Sequence, residues 1–207
     1  MQQRISLRWL KRSLFTAAIV FIGLWFRNDT AARAFQSSEA LKFEATRLQA
    51  EFIGPPARRA SKQAWLPARL ESGMFGHIEI PRLGISTLIA EGAGTEQLDR
   101  SVGHIATTPF PGQPGNCALC GHRESFLRDL GELREHDVIR IDTLQGTYTY
   151  EVEWCTVVEP HQVDVLDSTE APSLTLVTCF PFHAVGSAPE RFVVRARLVE
   201  PAAWVAL

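Results

Sequence analysis

The sequence predicts an all-β domain, an antiparallel barrel closed or nearly closed, preceded by an N-terminal membrane segment. Three observations lead there. Short β-prone runs punctuated by Gly and Pro fill the chain from Met74 to Val199. Nothing helical in that stretch is long enough to supply the crossovers of a parallel α/β sheet. An uncharged apolar run, Leu14 to Phe26, follows the basic residues Arg4, Arg8, Lys11 and Arg12. At 207 residues the chain suits one domain with an accessory segment, and its formal net charge of −2 offers no bulk attraction to nucleic acid.

Residues 1–12 are the basic segment expected to stay in the cytoplasm, and 13–27 the signal-anchor. The thirteen residues Leu14–Phe26 rise only about 20 Å as a helix against roughly 30 Å of hydrocarbon, so Lys11, Arg12, Arg27, Trp9 and Trp25 must extend the span at its edges. Ala32-Arg33-Ala34 resembles a cleavage site, which leaves open removal of the run as a signal peptide. The polar step Arg27-Asn28-Asp29, well before that site, favours an uncleaved anchor. A buried core helix fits worse, because the run has no polar face.

Residues 28–72 read as stalk and linker. From Gln36 to Phe52 the chain is polar and helix-friendly, with Leu41, Leu48 and Phe52 on one face. Gly54-Pro55-Pro56 breaks that pattern, and the stretch to Glu71 has little apolar periodicity. The stalk is expected to add little to the core. The folded domain is placed at 73–200, with a tail at 201–207. Its β-prone runs are Met74–Ile80, Ile85–Glu91, Asn116–His122, Asp137–Thr143, Thr147–Val158, Ser173–Cys179 and Arg191–Val199, with short helices expected at Thr95–Ser101 and Glu124–Leu130.

Chemistry concentrates at Cys179. The run Leu174–Cys179 puts Thr175, Val177 and Cys179 on one strand face, and Phe180-Pro181-Phe182 takes the chain out of the sheet, so the sulfur sits at a rim. A thiol with an ordinary pKa of about 8.5 is mostly protonated at neutral pH, so a nucleophilic cysteine needs a proton acceptor or a cation nearby. His122 ends another β-prone run. Arg191 begins the last one, twelve residues after Cys179, a separation at which antiparallel neighbours would stand opposite each other.

These residues resemble the sortases. Thr175-Leu176-Val177-Thr178-Cys179 matches the nucleophile motif, Gly121-His122-Arg123 the histidine motif, and Ala188-Pro189-Glu190-Arg191-Phe192-Val193-Val194 the arginine strand, in the right order over roughly Met74 to Glu200. The details are most similar to class D sortases and the related enzymes of Gram-negative bacteria. The resemblance implies an eight-stranded barrel with an N-terminal membrane segment, Cys179 as nucleophile, His122 as general acid/base, and Arg191 as the cation that steadies substrate backbone or oxyanion. It implies transpeptidation of protein substrates carrying a C-terminal sorting signal, through a thioester resolved by an amine, outside the cytoplasm at the inner membrane. Thr178, beside the nucleophile, and Cys120, on the catalytic face, are the expected substrate-binding residues.

Other readings bear on the same residues. Cys117-Ala118-Leu119-Cys120-Gly121-His122 carries three zinc donors, but an extended strand turns Cys117 away from Cys120 and His122, so no metal is expected. Glu132, Glu135, Asp137 and Asp142 are too scattered to claim a calcium site, and no cofactor is expected. Cys120 stands where a small residue such as Ala is expected, which raises a reversible Cys120–Cys179 disulfide as a redox control. Cys155 reads as a small buried hydrophobe. A cysteine hydrolase using the same trio, and a non-enzymatic membrane-anchored binding module, are the competing functions.

Overall fold

Apolar alternation along these runs closes the sheet on itself. The computed structural model describes residues 2–53, 68–184 and 186–200. Its strands are β1 (Met74–Ile80), β2 (Ile85–Glu91), β3 (Val102–His104), β4 (Asn116–Gly121), β5 (Val138–Thr143), β6 (Gly146–Val158), β7 (Ser173–Phe180) and β8 (Glu190–Glu200). They form a closed barrel in the order β1-β2-β3-β4-β7-β8-β6-β5. Inward-facing Phe75, Ile78, Ile80, Leu119, Ile139, Ile141, Leu174, Leu176 and Val194 share one core with Tyr150, whose hydroxyl accepts from the Gly112 N–H at 2.8 Å. Each such side chain, fully buried, stabilises the fold by about 1.5–3 kcal/mol.

The barrel is not wholly antiparallel, which corrects the expectation. β2 and β3 run parallel, as do β4 and β7. β3, at three residues, is too short to display an alternation. The expected helix Thr95–Ser101 shortens to α2 (Thr95–Leu98), and just beyond it the Arg100 N–H bonds three residues back instead of four, to the Gln97 carbonyl at 3.0 Å. No α-helix forms over Glu124–Leu130. Turns bonded three residues apart run through it instead (Arg128 N–H to Ser125 O, Leu130 N–H to Leu127 O), ending in a 3₁₀ turn at Leu130–Glu132. Tertiary contacts override helix propensity there: Arg123 turns into the protein, and Leu127 packs so closely on Gly121 that a Cβ on that glycine would lie 2.9 Å from Leu127 Cδ1.

A helix, α1 (Gln2–Ile53), precedes the barrel and runs without a break across the boundary expected between 13–27 and 28–72. Its middle docks on the barrel. Phe43, 2% exposed, packs with Met74, Leu88, Ala90 and Leu144, flanked by Phe35 and Leu70. The Gln36 amide accepts from the Leu88 N–H at 3.1 Å and donates to the Arg100 carbonyl, while Arg47 lies 3.3 Å from Asp142. Leu41, 74% exposed, and Leu48 point away from the barrel, so the docking face differs from the one their spacing picks out. The side chain of Phe52, residues 54–67 of the linker and the tail at 201–207 lie outside the described residues.

Leu14, Phe15, Ile19, Val20, Phe21 and Ile22 are exposed along α1. Among the described residues no helix is long and apolar enough to cross a membrane.

Candidate active site

Strand register assembles the site. β4 and β7 run parallel with Gly121 opposite Thr178, so His122 and Cys179 follow side by side from adjacent strands. β7 and β8 run antiparallel with Cys179 opposite Arg191. Neighbouring strands lie about 4.7–4.9 Å apart, so three consecutive strands bring a thiol, an imidazole and a guanidinium to one end of the barrel. Thr178 is buried, and its hydroxyl donates to the Gly121 carbonyl at 2.8 Å, fastening the two strand ends just before His122 and Cys179. Arg191 Nη1 donates to the carbonyls of Glu190 and Ala188, at 2.8 and 3.2 Å.

His122, 39% exposed, has its Nε2 3.5 Å from Asp99 Oδ1, where α2 ends. That is beyond direct hydrogen-bonding distance. Cys120 is partly buried, opposite Val177, on the same outer face as Cys179. Burial chiefly, and then the neighbouring Cys179, push its thiol up to about 11, so it stays protonated where a nucleophile must not. Cys117 lies inside the core, and its own burial pushes its thiol up as well. The two cysteines of the C-x-x-C run therefore point to opposite faces of β4. All four cysteines are free, and Cys155 is partly buried with its sulfur near the Leu133 carbonyl.

The connections on either side of β7 are both held by side chains that turn into the protein. On one side, Asn116 Nδ2 and Arg195 Nη2 converge on the Val165 carbonyl, at 3.2 and 2.8 Å, while the Thr175 hydroxyl donates to Asn116 Oδ1 at 2.7 Å. This ties the β6–β7 connection to the outer face of the sheet. On the other side, the β7–β8 connection carries Phe182, which packs with Phe180 and Phe192 at centroid distances of 5.8 and 5.3 Å. Gly131 admits the Phe182 ring, since a Cβ there would lie 2.5 Å from it.

Asp99, Asn116, Arg123 and Arg195 are the residues that sequence reasoning missed. Arg123 sat inside a motif already singled out, whereas Asp99 reaches the site only through the unpredicted β3. His104 is fully buried between Glu91, 3.0 Å from its Nδ1, and the Pro109 carbonyl. His183 is exposed in the β7–β8 connection. Among the described residues no cluster of three or more His, Cys, Asp or Glu side chains is placed to hold a metal ion.

The family described as Sortase domain matches residues 78–199, more than half of the chain. The chain belongs to the sortase family. It is 33% identical over 125 residues to sortase D of Bacillus subtilis, a match covering 60% of this chain and 63% of that protein. Among solved sortases, it superposes on a Clostridium perfringens sortase D5 transpeptidase with a TM-score of 0.62 at 25% identity, covering 83% of this chain and 99% of that one. Sortase E from Streptomyces avermitilis gives 0.55 at 31% identity, covering 63% and 91%. The chain spans between 50% and 63% of the length of the sortase D and sortase A relatives it matches by sequence. The closed barrel of eight strands is thus a sortase fold.

Proposed function

We propose that this sortase is a cysteine transpeptidase acting on proteins with a C-terminal, LPxTG-like sorting signal. The observation that carries the reading is the delivery of His122, Cys179 and Arg191 by neighbouring ends of β4, β7 and β8. Cys179 Sγ adds to the scissile carbonyl carbon, and the carbonyl electron pair moves to oxygen. Arg191 meets that developing charge with a fixed cation, an effect worth about 2.7–4 kcal/mol per donor in acyl-transfer sites. His122 protonates the leaving nitrogen as the C–N bond breaks, and a thioester remains. An incoming amine gives a proton to His122, attacks the thioester carbon and expels the thiolate. Asp99 steadies the His122 ring, Cys120 lies along the bound peptide, and Thr178 holds the strand ends instead of presenting its hydroxyl to substrate.

The proposed arrangement is a cytoplasmic segment at 1–12, a single-pass anchor at 13–27, a stalk and linker at 28–72, the catalytic barrel at 73–200 and a tail at 201–207. The exposed apolar side chains along the first part of α1 support it, since water would solvate them poorly and lipid would not. A reporter fused after Glu200 should then be active outside the cytoplasm, and a cytoplasmic signal would contradict the placement. For the reaction, the test is product identity. With a sorting-signal peptide and an amine, ligated peptide is expected, whereas free acid alone would make the enzyme a hydrolase.

A further inference from the structure

The residue after the proposed acid/base makes a set of contacts that the reaction itself does not call for. Arg123 is 3% exposed, and its guanidinium meets four oxygens. Nε donates to Glu124 Oε1 at 2.8 Å, Nη1 to the Pro181 carbonyl at 2.8 Å, and Nη2 to the carbonyls of Ala184 and Gly186, at 2.9 and 2.8 Å. Three of these acceptors belong to the β7–β8 connection, residues 181–189, which begins two residues after Cys179 and ends two residues before Arg191. The same connection supplies the Ala188 carbonyl that Arg191 Nη1 holds at 3.2 Å. One planar, always-charged fork therefore ties the end of β4 to the backbone that carries one of the two carbonyls held by Arg191. A lysine has three donors on one nitrogen and cannot reach three separate carbonyls in this geometry.

We propose that Arg123 is a positioning residue: by pinning the carbonyls of Pro181, Ala184 and Gly186, it fixes the path of the β7–β8 connection and so aims Arg191 at the reacting carbonyl next to Cys179. Its catalytic meaning rests on the transpeptidase reading, but its structural meaning does not. Without the fork, the three carbonyls lose their partner and the connection loosens. Arg191 then keeps its place on β8 and its bond to the Glu190 carbonyl, and loses the Ala188 anchor that with it fixes the direction of the guanidinium. Displacement of a catalytic group by about 1 Å can cost roughly a hundredfold in rate.

The experiment uses the full chain in detergent, as wild type, Arg123→Lys, Arg123→Ala, Arg191→Ala and the Arg123→Lys/Arg191→Ala double variant. The lysine variant keeps the buried charge should the alanine variant fail to fold. Hydrogen exchange by mass spectrometry reads the backbone amides of residues 180–190, and iodoacetamide capture, mapped to the Cys179 peptide, reads the site without any peptide substrate. The expected result is lost protection of 180–190 in Arg123→Lys and slower capture in all three single variants. In the double variant, capture is expected no more than about twofold slower than in Arg191→Ala, because one residue acts through the other. Unchanged protection would overturn the tether, and multiplying capture effects would overturn the action through Arg191. With a sorting peptide, kcat should fall roughly a hundredfold in Arg123→Lys with little change in KM. A wild-type enzyme that forms no acyl-enzyme would refute the transpeptidase reading and leave the exchange and capture arms to decide the positioning role.

Discussion

Replacing Phe43 by Ala tests whether α1 is part of the folded unit. Phe43 is 2% exposed among Met74, Leu88, Ala90 and Leu144, in a cluster outside the barrel core. Truncating a buried Phe costs about 3–5 kcal/mol where the cavity must stay open. Here the helix can lift off the barrel instead, which caps the loss, so we expect about 2–3 kcal/mol. For a domain of this size each kcal/mol lowers Tm by about 2–4 °C, which puts the drop at roughly 4–12 °C. Leu41→Ala, on the opposite face of the same helix and 74% exposed, should stay within about 0.5 kcal/mol. Thermal and urea unfolding of the full chain in detergent would read both. Equal, small effects would refute the docked helix and restore the free stalk that the sequence led us to expect.

Gly121→Ala should destabilise by about 1–3 kcal/mol and lower activity, because the added methyl meets Leu127 beside His122; a melt unchanged from wild type would show that Leu127 yields easily. Arg191→Lys keeps the charge and loses the fork, so kcat/KM should fall sharply, and turnover at the native rate would exclude a role for the fork. Cys120 offers a pH readout. Its thiol is held protonated up to about 11, so at pH 8 only about one molecule in a thousand carries the thiolate. In Cys179→Ala, where burial still supplies the larger cause, alkylation of Cys120 should be slow at pH 8 and climb steeply toward pH 11. Fast labelling at pH 8 would place Cys120 in a wetter setting.

Strand residues were legible where the pattern was long enough to repeat. β1 and β2 match their expected bounds residue for residue, and β5 to β8 fall within one or two residues of theirs, since each run alternates or is flanked by Gly and Pro. β3 was not legible, because three residues carry no period, and without it neither the parallel β2–β3 pair nor the approach of Asp99 to His122 could be foreseen. The docking of α1 had left a trace. Leu88-Ile89-Ala90 is apolar without alternation, as a strand covered on both faces must be, and Leu88 and Ala90 lie under Phe43.

The Cys179, His122 and Arg191 positions were carried by motif resemblance. Their common placement depends on the β4–β7 register, a parallel pairing between strands more than fifty residues apart that no local pattern encodes. Arg123 was quoted within the histidine motif and given no role, since only the fold brings the β7–β8 carbonyls to it.

The central claim is that Cys179 attacks a peptide carbonyl and holds the acyl group as a thioester. Intact-protein mass spectrometry after incubation with LPxTG-like peptides, without added amine, tests it directly. Wild type should gain the mass of the peptide's acyl portion, map it to Cys179, and lose it on addition of hydroxylamine or an amine, while Cys179→Ala gains nothing. An adduct that persists in Cys179→Ala, or one mapped to Cys120, would contradict the account.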